Sequence, residues 1–196
     1  MNHHSKIRKL ALLTVLTSLC LAIQLTPRPP NAEFTSFFTF IVGIIYGILN
    51  GALFGCFIMF VNCFFSPYGF AGLNAPFQMI GMAIAGILGG IYRNYLSKNI
   101  YQKRFCLETA ILGGLIAIIF DLITNCGWGV SFILSGMNPT LAFFTALASG
   151  TPLAIIHTLS NIIVFGVLTA PLVKILDNMI KGEGFWLKKE PSYLHP

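Results

Sequence analysis

Charge is what this chain has least of. Only 9% of its 196 residues are charged, against 56% hydrophobic, and the mean hydropathy is +0.80. A soluble domain carries about 25% charged residues. That scarcity excludes an ordinary soluble domain. The length leaves room for about six spans of roughly 20 residues each. The expectation is one integral membrane domain over residues 1–196, with no appended soluble module.

Paired ligand residues are missing as well. All five cysteines fall in apolar segments, without a CxxC pair or a His/Cys ligand spacing. They read as buried thiols that pack like small hydrophobes, and zinc is not expected. There is no GxxxxGK[ST] loop, so ATP hydrolysis by that route is excluded. No charged repeat resembles a voltage sensor, and HExxH is absent. Intramembrane serine proteolysis would need Ser131 or Ser135 with His157 as base. Neither serine has a GxSG setting, and both read as lying in a loop. A lone His157 is weak support for haem. No internal repeat or low-complexity tract is present. No cofactor or metal is expected.

The net charge is +6. The basic residues flank apolar runs and form no stripe interleaved with aromatics. They therefore set topology and do not grip nucleic acid.

The apolar runs divide the chain into six spans, at about 7–25, 34–49, 51–65, 75–92, 105–126 and 151–175. The first follows Lys6, Arg8 and Lys9, in the manner of a signal peptide. Leu19 before Cys20 does not fit a lipoprotein cleavage box, so an uncleaved span is the reading. Pro27, Pro29 and Pro30 break the helix after it. A tight turn near Asn50–Gly51 separates the second span from the third. The segment Gly127–Gly150 reads as a loop with a short helix near the interface. A polar tail covers about 177–196.

An even span count puts both termini on one side. Lys6, Arg8, Lys9, Arg93, Lys98, Lys103, Arg104, Lys174, Lys181, Lys188 and Lys189 then share that side, and Arg28 alone lies opposite. The excess of basic residues places both termini in the cytoplasm. The expected fold is an all-α membrane bundle of six helices in the cell membrane.

Six polar side chains interrupt the spans: Asn62, Gln78, Asp121, Asn125, His157 and Asn161. With this topology all six lie in the outer half, within roughly 5–15 Å of the interface at 1.5 Å per residue. Asp121 and Asn125 share a helix face at i,i+4 spacing, as do His157 and Asn161. Polar groups in lipid are costly and often mark a site. Interhelical hydrogen bonding is the competing explanation, most of all for Asn62. The joint clustering favours a pocket that opens outward. Trp128, Tyr68, Phe70 and Phe77 lie at the outer boundary, as an interfacial belt or as stacking surfaces for a flat ligand.

Small residues recur every fourth position at Gly43, Gly47, Gly51 and Gly55, and again at Ala85/Gly89 and Gly86/Gly90. That spacing permits close helix contact. In the first span Thr14, Ser18 and Ala22 form a similar face, for internal packing or for a partner subunit.

Several stretches together resemble the S components of energy-coupling factor (ECF) vitamin transporters. Pro30-Asn31-Ala32-Glu33-Phe34 precedes the glycine-rich spans. Asn74-Ala75-Pro76-Phe77-Gln78-Met79 starts the fourth. Phe120-Asp121-Leu122-Ile123-Thr124-Asn125 and Gly150-Thr151-Pro152-Leu153 through His157-Thr158-Leu159-Ser160-Asn161 lie in the last two. The resemblance runs from about Lys9 to Leu176. It implies a vitamin or related micronutrient held near the outer face, under the loops Thr26–Glu33, Ser66–Asn74 and Gly127–Gly150. Asn74, Gln78, Asp121, Asn125, Trp128, His157 and Asn161 are then the expected ligand-binding residues. It implies partners too, a transmembrane coupling subunit and two ABC-type ATPases. Thr14, Ser18 and Ala22 match the face that meets the coupling subunit, where the family commonly has alanines. The stretches around Gln78 and Asp121 look closest to members grouped with cobalamin or its precursors. Riboflavin-, queuosine- and thiamine-type members share the fold. The rival readings are a stand-alone proton-coupled transporter using Asp121, an intramembrane enzyme using His157, and a non-transporting sensor.

Overall fold

A computed structural model describes residues 3–27, 29–67, 69–95 and 103–181. Arg28, Tyr68, Lys98, Lys188, Lys189 and nearly all of the expected polar tail lie outside them. Six α-helices follow in order: α1 (His3–Leu25), α2 (Thr35–Tyr46), α3 (Ile48–Phe65), α4 (Ala75–Tyr95), α5 (Lys103–Leu134) and α6 (Pro139–Lys181). A single 3₁₀ turn, Gly72–Asn74, leads into α4. Five of the helices are long and apolar enough to cross a membrane, and α2 is the shorter sixth.

The helices alternate in direction. The Tyr46 hydroxyl donates to the Lys9 carbonyl at 2.9 Å, which sets the end of α2 beside the start of α1. Gly51 lies against Gly86, and Ile48 against Gly90, so α3 and α4 run antiparallel. Tyr92 on α4 donates to Glu108 near the start of α5. Thr109 on α5 bonds the Phe165 carbonyl on α6 at 3.2 Å. The start of α1 and the end of α6 therefore lie at one end of the bundle.

The centre is α2. Thr35 through Ile44 are all buried. Phe37, Phe40 and Ile41 pack in a core with Ile58, Met82, Ile116 and Phe165. The outer faces are the reverse of a soluble protein: Leu49, Phe57, Ile111, Leu115, Ile155 and Ile163 are exposed, as lipid contact requires.

Glycine makes the inner contacts possible. A Cβ on Gly43 or on Gly51 would meet the Gly86 carbonyl oxygen, and one on Gly86 would meet the Gly51 backbone. Three helices thus touch backbone to backbone. Gly47 departs from this pattern. It ends α2 and starts α3 with φ 91°, a conformation glycine adopts without steric cost. The turn is therefore at Gly47, four residues before the expected Gly51, because Gly51 is already committed to packing.

The segment Gly127–Gly150 is helical, against the expectation of a mixed loop. α5 runs on to Leu134, and α6 already begins at Pro139. Gly136 closes α5 with φ 94°. Its N–H reaches the Ile133 carbonyl, and the Met137 N–H reaches the Phe132 carbonyl at 3.1 Å. These two bonds form the Schellman arrangement. Asn138 then caps α6, its Oδ1 accepting from the Thr140 N–H at 3.0 Å, with Pro139 at the first helical position where no N–H is needed. Gly127 and Gly129 do not break α5 because each is filled by a neighbour, Phe77 and Phe143 respectively. With 43 residues, α6 is about 65 Å long and exceeds the hydrocarbon thickness.

Candidate functional site

A polar chain crosses the bundle where the start of α2 meets α5 and α6. His157 on α6 is 1% exposed. Its Nδ1 lies 3.0 Å from Asp121 Oδ1 on α5. Its Nε2 lies 3.1 Å from Glu33 Oε1, two residues before α2. Ser36, in the first turn of α2, donates to the same Glu33 oxygen at 2.8 Å. The Phe120 ring meets the imidazole edge to face at 5.6 Å.

The loop before α2 is tied to α6 a second time. Asn31 has φ 59°, a left-handed conformation that asparagine tolerates better than most residues. Its carbonyl accepts from Ser160 Oγ at 3.4 Å.

Beside this chain lies a cavity of about 430 Å³. α5 supplies one wall, through Phe120, Asp121, Thr124, Asn125, Trp128 and Phe132. α6 adds Ser149, Gly150 and Leu153; Asn74 and Gln78 close the α4 side, and Asn31 the loop side. The volume falls within the range of small-molecule sites. Asn74 is buried and braces the mouth of α4. Its amide orientation that satisfies both neighbours has Nδ2 donating to the Thr124 carbonyl at 3.1 Å, with Oδ1 accepting from Trp128 Nε1 at 3.0 Å. Gly150 has no side chain because the Asn125 amide fills that space. Gln78 Oε1 accepts a weak bond from Cys63 Sγ at 3.7 Å.

Five of the seven expected ligand-binding residues, Asn74, Gln78, Asp121, Asn125 and Trp128, line this one cavity. The other two stand behind it. His157 touches its wall through Asp121 and Phe120. Asn161, fully buried one turn along α6, donates to the His157 carbonyl at 3.2 Å, and its Oδ1 has no partner. Asn62 lies apart, half-buried, with its Nδ2 near Met59 Sδ at 3.9 Å and its Oδ1 unpaired.

Glu33 is not among the expected site residues, because sequence places it in a loop and depth follows only within spans. Asn31, Phe132, Ser149 and Gly150 line the cavity from segments that read as loops in the same way. The available signal for Glu33 was an acidic residue directly before a strongly apolar run.

Among the described residues, no group of three or more His, Cys, Asp or Glu side chains is placed to hold a metal ion. A multi-pass helical bundle with an internal, aromatic-walled polar cavity is a membrane protein built to hold a small molecule. The profile of the family described as ECF-type riboflavin transporter, S component, matches residues 5–178. The chain belongs to that family. It is a transport subunit that binds substrate, and not an enzyme. The expected kinship with the cobalamin group is not what this match supports. No curated protein and no solved structure matches the chain.

Proposed function

We propose that this subunit captures riboflavin, or a flat heterocycle of similar size, in the Asp121–Trp128 cavity and passes it across the membrane. The carrying observation is the cavity itself. Its α5 wall alternates aromatic surfaces, Phe120, Trp128 and Phe132, with hydrogen-bonding groups, Asp121 and Asn125. A planar ring with polar edges matches that lining. A corrinoid is much larger than about 430 Å³ and fits poorly.

The cavity faces outward in this reading. Basic residues gather at the other end, where Arg93 donates to the Ile45 carbonyl and Arg104 pairs with Glu108. The positive-inside rule makes that end cytoplasmic.

Energy comes from partner subunits, a coupling protein in the membrane and two ATPases. On α1, Leu12, Leu16 and Cys20 face inward, while Thr14, Ser18 and Ala22 are exposed. The Thr14 hydroxyl is satisfied within its own helix by the Leu10 carbonyl at 3.0 Å. The face it presents is small and nearly apolar, suited to close approach of another helix.

The direct test is purification in detergent, identification of bound small molecules by mass spectrometry, and titration with riboflavin by quenching of flavin fluorescence. Tight, saturable quenching is expected. A protein that carries a different compound and ignores riboflavin would refute the assignment. The buried Glu33–His157–Asp121 chain favours one second reading, a stand-alone proton-coupled carrier. Uptake by this chain alone, in vesicles with a pH gradient and no ATP, would establish it.

A further inference from the structure

Asp121 uses one of its two carboxylate oxygens. Oδ1 is held by His157 Nδ1. Oδ2 is buried and has no hydrogen-bond partner. The residue is 7% exposed and lines the cavity. A buried polar atom without a partner is rare and calls for an explanation. The residue that carries it lines the cavity wall. Glu33, by contrast, takes both Ser36 and His157 on a single oxygen.

We propose that Asp121 Oδ2 accepts a hydrogen bond from the ring imide N–H of the flavin, which makes Asp121 the residue that selects this ligand's polar edge. The inference rests on the flavin reading above and deepens it. The oxidised isoalloxazine ring has one N–H, at N3, flanked by two carbonyls. An acceptor beside a donor is its complement. Asn125 stands one helical turn from Asp121 on the same wall, and its amide makes no hydrogen bond within the described residues. Its NH₂ is the donor for one flanking carbonyl. Trp128 and Phe132 continue that wall away from Asp121, where the apolar body of the ring would lie.

His157 and Glu33 act as positioning residues. The imidazole Nδ1 holds Oδ1 at 3.0 Å and so fixes the orientation of the Asp121 carboxylate. Glu33 fixes the other ring nitrogen and so the orientation of the imidazole.

The ribityl hydroxyls are a second source of donors, and the experiment separates the two. The full-length protein in detergent is titrated with riboflavin, 3-methylriboflavin and lumiflavin by fluorescence quenching, as wild type and as Asp121→Asn. The wild type is expected to bind riboflavin about a hundredfold or more tighter than the 3-methyl compound, because a buried acceptor rejects a ligand lacking its donor. Asp121→Asn should erase that preference and weaken lumiflavin, which keeps the imide and lacks the hydroxyls. Equal wild-type binding of riboflavin and 3-methylriboflavin overturns the proposal and leaves the flavin reading standing. Lumiflavin binding that is indifferent to Asp121→Asn assigns the bond to the ribityl chain and overturns it too. A folded wild type that binds none of the three overturns both readings. The wild-type comparison needs no variant, so it decides even if Asp121→Asn fails to fold.

Discussion

Glu33 Oε1 lies 3.1 Å from His157 Nε2, across 124 residues of sequence. This contact fastens the start of the central helix to α6, and through Asp121 to α5. Removing the imidazole leaves two buried carboxylates facing an empty space. His157→Ala should destabilise the protein by about 3–5 kcal/mol, the usual cost of breaking a buried charge pair. Glu33→Gln retains an acceptor and should cost much less. Thermal unfolding of both variants in detergent measures this. A His157→Ala melting point equal to the wild type would show that the chain adds no stability.

Asn74 holds Trp128 and the Thr124 carbonyl together. Asn74→Ala leaves the Thr124 carbonyl and the half-exposed indole without their partner, at about 1–3 kcal/mol. The freed indole should also serve less well as a wall, with roughly tenfold weaker flavin binding. Trp128 emission, read in a Trp186→Phe background, should shift in the variant. Unchanged emission would mean the indole is placed by other contacts.

Two glycines give opposite expectations. A Cβ at Gly86 would strike the Gly51 backbone, whereas one at Gly114 would meet side chains, Ile162 at 3.0 Å and Thr158 at 3.8 Å. Gly86→Ala should cost at least about 1–3 kcal/mol through overpacking. Gly114→Ala gains helix propensity, about 1 kcal/mol, and should be close to neutral. Equal melting points for the two would contradict the three-helix backbone contact.

Variants on the exposed face of α1 should separate binding from transport. Thr14→Leu with Ser18→Leu places bulk on an exposed surface that supplies no residue to the cavity lining. Flavin affinity should be unchanged, while ATP-dependent uptake with the partner subunits falls by tenfold or more. Full uptake by this variant would remove α1 from the coupling surface.

Asn62 offers the negative control. It lies outside the cavity, with an unpaired Oδ1, so Asn62→Leu should leave binding intact and stability equal or higher. A loss of affinity would mean the cavity extends further than its present lining.

The number and order of helices were legible because lipid forces each crossing to be apolar and helical. Boundaries were less so. Gly127, Gly129 and Gly150 look like loop residues, but Phe77, Phe143 and Asn125 fill the space where their side chains would be. Glycine's meaning depends on a neighbour that sequence does not name. Gly47 shows the same ambiguity in reverse, since its fourfold spacing marks it as packing while its φ of 91° makes it a turn. That Asp121 and Asn125 share a face of α5 could be read from their i,i+4 spacing. The Glu33 contact could not, because nothing local says that a loop residue reaches His157.

With 12 residues, α2 is about 18 Å long, well short of the roughly 30 Å of hydrocarbon. Nearly every residue in it is covered by protein. Such a helix has no stable position of its own in lipid. Its placement depends on the helices packed around it, and the same packing sets Glu33 beside His157. A substitution that loosens those neighbours should therefore disturb α2 and the Glu33–His157 contact together.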